Sequence, residues 1–192
     1  MTTRQDHQRA TLDWFVAHPT AQVRRLVETQ VEGSVEGCRY DARHVYVETY
    51  WLPVLGPSAV LALRRVAEWL DQNPTGVDID LVDFGASLGV GTGTGRNTQI
   101  NRTLARLVDF RLARIHTEHL EVATSLGPLP TGLRRRLPLP LLDSLAEHDR
   151  TAPRTLLTGQ HDRRSPVNAA AFTHRQAGVD RSTRAISPRS TP

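Results

Sequence analysis

The sequence predicts an α+β fold, mainly helical, and three observations carry that expectation. Apolar residues recur at helical spacing in several separate segments. Val77 and Ile79 alternate with Asp78 and Asp80, as in a half-buried strand. Two short β-prone runs flank Thr117-Glu118, as in a hairpin. The 192 residues, 39% hydrophobic and 5% aromatic, suffice for one ordinary core with accessory segments.

From the N-terminus, residues 10–30 carry Leu12, Phe15 and Val16, then Val23, Leu26 and Val27. This spacing predicts a helix that Pro19 breaks or restarts at His18 and that the glycines at 33 and 37 end. Tyr40 to Trp51 is rich in β-branched and aromatic residues and reads as extended. Residues 1–55 thus form a helical and extended arm, packed on a central domain or used as a dimer contact.

That central domain, 56–125, begins at Gly56-Pro57-Ser58. Ser58 is the expected N-cap of a helix whose buried face is Leu63, Val66, Ala67 and Leu70. Asn73-Pro74 and Gly76 end that helix, and the strand at Val77 comes next. Asp80 is placed to cap the next helix, with Asp83 near its positive end, and Leu81, Phe84, Gly85 and Leu88 share one face before Gly89 stops it. Beyond the loop Gly89–Gly95, Asn97 opens a helix expected over Asn97–Phe110. Its apolar stripe is Ile100, Leu104, Leu107, Val108 and the stem of Arg111, while Thr98, Gln99, Arg102 and Arg106 project from the other side. Leu112–Ile115 and His119–Thr124 make the hairpin. Residues 126–149 are rich in proline and leucine, with a basic run at Arg134–Arg136 and a short helix through Leu141, Leu142 and Leu145. From 150 to 192 the composition turns to Ser, Thr, Pro and Arg, which predicts a disordered basic tail.

All 24 basic residues are arginine, a bias that a GC-rich genome explains as well as selection for phosphate contacts does. The net charge of +4 is unevenly spread. Residues 1–80 hold eight Arg against eleven acids, 81–150 nine against seven, and 151–192 seven against two. Between Gly85 and His116 there are five Arg (Arg96, Arg102, Arg106, Arg111, Arg114) and one acid, Asp109, the footprint expected for a polyanion partner. A single cysteine, Cys38, gives no intramolecular disulfide framework. No run approaches the roughly 18 apolar residues of a membrane span, and the first residues hold no apolar signal core. A soluble cytoplasmic protein is the expectation.

Helix, strand, helix, turn, helix, hairpin is an element order that resembles the winged helix-turn-helix superfamily, over about Ser58–Thr124. The resemblance implies sequence-specific binding of double-stranded DNA, with the second helix of the pair in the major groove and the hairpin on backbone or minor groove. On that footing Arg102 and Arg106 reach guanine edges, with Asn97, Thr98 and Gln99 near the helix start. Arg96 and Arg114 hold phosphates, and His116 and His119 sit at the wing tip against phosphate or water. No catalysis and no cofactor are implied. A homodimer is expected because one reader helix covers a half-site, the contact coming from the arm or from Leu137–Leu145. Transcriptional regulation is the leading role, and replication or partition of a mobile element uses the same domain.

Other readings compete with this one. A winged-helix module can serve protein contacts alone. The glycines at 89, 91, 93 and 95 resemble the first motif of S-adenosylmethionine-dependent methyltransferases. They fail the G-x-G-x-x-G test, however, because Thr94, Arg96 and Thr98 fill the sixth places, and a flexible loop is the preferred reading. No metal site is expected, since neither a carboxylate nor Cys38 is evidently placed to complete one with His116 and His119. Trp69 is expected in the core, and Tyr50 and Trp51 as a staple of the arm onto the central domain, rather than as stacking platforms, and six arginines of the tail (Arg163, Arg164, Arg175, Arg181, Arg184, Arg189) would add only salt-sensitive, nonspecific affinity.

Overall fold

The computed structural model describes residues 4–26 and 39–151, and over these the chain is α+β and mainly helical. Val27, Cys38, the glycines at 33 and 37, and nearly all of the basic tail lie outside the described residues.

Helix α1 (Arg4–Ala17) ends just before Pro19, and the chain does not restart as a helix. It continues as strand β1 (Thr20–Arg25), where Ala21 and Val23 are buried while Thr20 and Arg24 are exposed. This corrects the helical reading of residues 20–30. Val23 belongs to a period of two, and Leu26 extends the ladder by donating its N–H to the Val122 carbonyl at 2.9 Å. Strand β1 is no appended arm. The main sheet runs β3-β1-β5-β4, with β3 (Val77–Asp80), β4 (Ala113–Ile115) and β5 (His119–Val122). β1 lies antiparallel to β3, with Ala21 opposite Ile79, and parallel to β5, with Val23 opposite Leu120. The N-terminal segment therefore fills the middle of a sheet that the sequence predicts from residues 77–124 alone. One sheet face, with Ala21, Val23, Ile79, Leu120 and Val122, joins the core; the other carries Gln22, Arg24, Asp78, His119 and Glu121.

The extended reading of Tyr40–Trp51 is also corrected. Only Tyr40 and Asp41 are extended, as β2, which pairs with β6 (Ser125–Leu126). Val47–Trp51 winds into a π-helical turn that leads into α2 (Leu52–Leu55). Tyr46, Val47, Tyr50 and Trp51 are all buried, at spacings of one, four and five that only a helix presents to one side. Burying four large side chains, at about 1.5–3 kcal/mol each, outweighs a β-propensity scale that spans about 1 kcal/mol. The same side chains hold residues 126–149. The Trp51 indole N–H donates to the Gly127 carbonyl (3.1 Å), the Leu129 N–H donates to the Tyr46 hydroxyl oxygen (3.0 Å), and the Tyr50 hydroxyl meets Ser144 Oγ at 2.9 Å. Burial pushes the Tyr46 phenol up to about 12.

Helix α3 (Pro57–Gln72) buries Leu63, Val66, Ala67 and Leu70. Its capping position is taken by Gly56, at φ 83°, with Pro57 in the first turn, so Ser58 lies inside the helix. Asp80 caps α4 (Leu81–Ser87) by accepting from the N–H groups of Val82 (2.8 Å) and Asp83 (3.0 Å). The remaining helices are α5 (Gln99–Asp109), α6 (Thr131–Arg134) and α7 (Leu139–Thr151). An ion-pair chain ties β1, the turn after β2 and the end of α3. Arg25 meets Asp71 at 2.8 Å, Asp71 meets Arg43 at 2.6 Å, and Arg43 meets Asp41 at 2.8 Å.

Candidate nucleic-acid interface

Helix α5 lies against α1, α3, α4 and β4. It buries Ile100, Asn101, Thr103, Leu104, Ala105 and Leu107, which leaves a strip of Gln99, Arg102, Arg106 and Asp109 exposed. The outward placement of Gln99, Arg102 and Arg106 matches the predicted face. Thr98, not Asn97, is the N-cap: its hydroxyl accepts from the Asn101 N–H at 3.3 Å, and Asn97 stands exposed just before it.

The arginines differ in how freely they stand. Arg102 donates to the Gln99 side-chain oxygen (3.0 Å), a contact within the strip itself. Arg106 donates to the Val54 carbonyl at 2.7 Å, and its guanidinium lies 5.5 Å from the centre of the Phe110 ring. The reason is local. Helix α2 ends at Leu55 and Gly56 turns the chain, so a carbonyl of its last turn meets a cation. Arg96 pairs with Asp13 of α1. Arg111 is not part of the apolar stripe. It sits past the helix end at φ 59°. There its N–H donates to Val108 (2.9 Å) and the next N–H, of Leu112, to Leu107 (2.8 Å), a Schellman ending with arginine where glycine is usual.

The glycine loop before α5 is anchored near both ends. The Val90 N–H donates to the Gly85 carbonyl (3.0 Å), and the buried Asn101 amide donates to the Gly95 carbonyl (3.1 Å). A Cβ on Gly85 would stand 2.6 Å from the Gly91 carbonyl oxygen. Gly85 therefore serves close backbone approach as well as the apolar face expected of it. The loop comes after a helix rather than a strand, which is not the strand–loop–helix setting of a dinucleotide fingerprint.

Arg114 is exposed on β4, opposite Glu121 of β5. His116 and His119 face each other across the two-residue turn, with rings stacked 4.4 Å apart and nearly parallel at 4°. The expectation that no carboxylate approaches them is corrected. Glu121 Oε2 lies 3.0 Å from His116 Nε2, and Glu121 Oε1 lies 3.9 Å from His119 Nε2. The signal for Glu121 was present in the sequence, since residues two apart on a strand share a face and His119 and Glu121 are two apart. Trp69 packs half-buried against Phe84, as expected of a core aromatic, and Tyr50 and Trp51 are buried, bonded to Ser144 and Gly127 of the segment that follows the hairpin. Leu137 and Leu145, offered by the sequence as dimer contacts, are buried within the chain's own fold. No helix among the described residues is long and apolar enough to cross a membrane. Comparison with protein-family models, with curated proteins and with solved structures finds no match to this chain.

Proposed function

We propose that this chain binds double-stranded DNA sequence-specifically, without catalysis, through the first half of α5 and the β4–β5 hairpin. The observation that carries the reading is the exposed run Asn97, Gln99 and Arg102 at the start of α5, succeeded in the chain by a hairpin with exposed Arg114. Gln and Arg have the donor geometry that major-groove base edges require, and a guanidinium on a hairpin suits phosphate. Arg102 is the base-reading residue of this proposal, with Gln99 beside it. Arg106, bonded to Val54, supports the helix and reaches DNA only by giving up that bond. Binding as a homodimer to a palindromic site, in transcriptional regulation or in replication or partition of a mobile element, completes the reading.

Affinity measured against a preferred and a scrambled duplex tests it. Arg102→Ala should cost about 1–3 kcal/mol on the preferred duplex and relax one base-pair preference, whereas Arg114→Ala should weaken both duplexes alike. Equal losses on both duplexes for both variants would contradict the assignment of α5. A second reading, a module for protein contacts, draws on the internal engagement of Arg96 and Arg106, which leaves fewer cations to face a polyanion. It predicts no salt-dependent binding to any duplex.

A further inference from the structure

The hairpin gathers two imidazoles and a carboxylate more tightly than a phosphate-contacting wing tip needs. The turn at Thr117-Glu118 brings His116 and His119 opposite each other, and the His116 N–H donates to the His119 carbonyl at 2.9 Å. Strand periodicity adds Glu121 on the same face. One ligand atom from each of the three lies within 4.8 Å of the others. Around an ion bound at about 2.0–2.2 Å by nitrogen and oxygen, tetrahedral ligand atoms stand roughly 3.4 Å apart. Glu121 offers each imidazole a different oxygen, Oε2 at 3.0 Å from His116 Nε2 and Oε1 at 3.9 Å from His119 Nε2, and the parallel rings must turn about their side-chain bonds to aim both in-plane lone pairs at one ion.

Two further features favour an ion over a plain ion pair. His116 Nε2 is sealed from solvent and makes no hydrogen bond, so its short approach to Glu121 lacks the geometry that would satisfy it. Ligation would satisfy that buried nitrogen. The turn is also held from behind, where the Trp14 indole N–H donates to the Thr117 carbonyl at 3.4 Å. The ligand set is therefore carried on a braced hairpin.

We propose that His116 Nε2, His119 Nε2 and the Glu121 carboxylate bind a divalent transition-metal ion of the zinc class, with a fourth position open to water or an exchangeable ligand. Two neutral imidazoles and one carboxylate suit zinc or cobalt over calcium and magnesium, which take oxygen sets. The ion would join both strands of the hairpin on either side of the turn. The site does not depend on the DNA reading.

The test uses the full chain without an affinity tag, stripped with a chelator and titrated with Co²⁺ or Zn²⁺ alone, in the absence of DNA. One equivalent of Co²⁺ should give a visible ligand-field band that Zn²⁺ abolishes, and Zn²⁺ should raise the melting temperature. His119→Ala should remove the band. Glu121→Gln, which keeps the side-chain shape, should weaken binding by more than about tenfold, the least expected for a direct ligand when supporting residues already cost 10–100-fold. His7→Ala, at an exposed position on α1, should change nothing. A band absent from the wild type, or retained in both hairpin variants, or lost equally in His7→Ala, would overturn the proposal.

Discussion

Replacing Arg106 and Arg102 in turn separates the part of α5 that holds the fold from the part that faces outward. Both are exposed and lie four residues apart on one strip, so surface charge alone predicts equal and negligible effects on stability. Their contacts predict otherwise. Arg106→Ala removes a charged donor from the Val54 carbonyl at 2.7 Å and a guanidinium 5.5 Å from the Phe110 ring. The hydrogen bond contributes about 1–1.5 kcal/mol after discount for its partly exposed setting, and the ring contact about 0.5 kcal/mol. Against these stands about 0.5 kcal/mol of side-chain entropy that alanine no longer loses, so the net expectation is a loss of about 1–1.5 kcal/mol. Arg102→Ala breaks only the contact with Gln99 and should stay within about 0.5 kcal/mol of wild type. Urea titration monitored by tryptophan fluorescence reads both, with the midpoint lower for Arg106→Ala and the slope unchanged. An Arg106→Ala midpoint at the wild-type value, or an equal fall for Arg102→Ala, would refute the assignment of Arg106 to the fold.

Arg111→Gly should stabilise the protein in the same titration. Relief of the left-handed backbone at φ 59° contributes about 1–2 kcal/mol, less about 0.5–1 kcal/mol for the freer glycine of the unfolded chain, a net of about 0–1.5 kcal/mol, and a destabilised variant would contradict the strain. Gly85→Ala should cost about 1–3 kcal/mol, because its Cβ meets backbone at 2.6 Å; an unchanged midpoint would show that the glycine loop yields freely. In acid, burial pulls the Asp41 and Asp71 carboxyls up, but hydrogen bonds and charge from Arg43, joined at Asp71 by Arg25, leave both below 3.8. Their folded values are depressed, so their contribution is present above about pH 4 and fades as pH falls through the folded values. Arg43→Met should flatten that acid limb of a stability-versus-pH curve, and an unaltered limb would show that the pairs add nothing.

What the sequence disclosed was governed by local rules. The buried faces of α3 and α5, the Asp80 cap and the hairpin all arise from patterns that neighbouring residues impose. What it hid was non-local. Ala21 and Val23 alternate over too few residues to announce a strand, and only Ile79 on one side and Leu120 on the other, more than fifty residues away, fix them as one. Tyr46–Trp51 has the composition of a strand, yet its aromatics wind helically because Gly127, Leu129 and Ser144 wait on one side. For the candidate site, the outward face of α5 was legible, whereas the partners of Arg96 and Arg106 were not. Asp13 and the Val54 carbonyl reach them from other elements. Glu121 stands between the two cases, since its shared face with His119 needed only the period of two.

The most direct measurement is selection of bound fragments from random duplex DNA at about 150 mM salt, where nonspecific phosphate affinity is weak. It is run in parallel with wild type and Arg102→Ala. Enrichment of one palindromic consensus by wild type, with information lost at a defined base pair in the variant, is the predicted result. No enrichment by wild type, or an identical consensus from both proteins, would contradict the assignment of the α5 strip to base recognition.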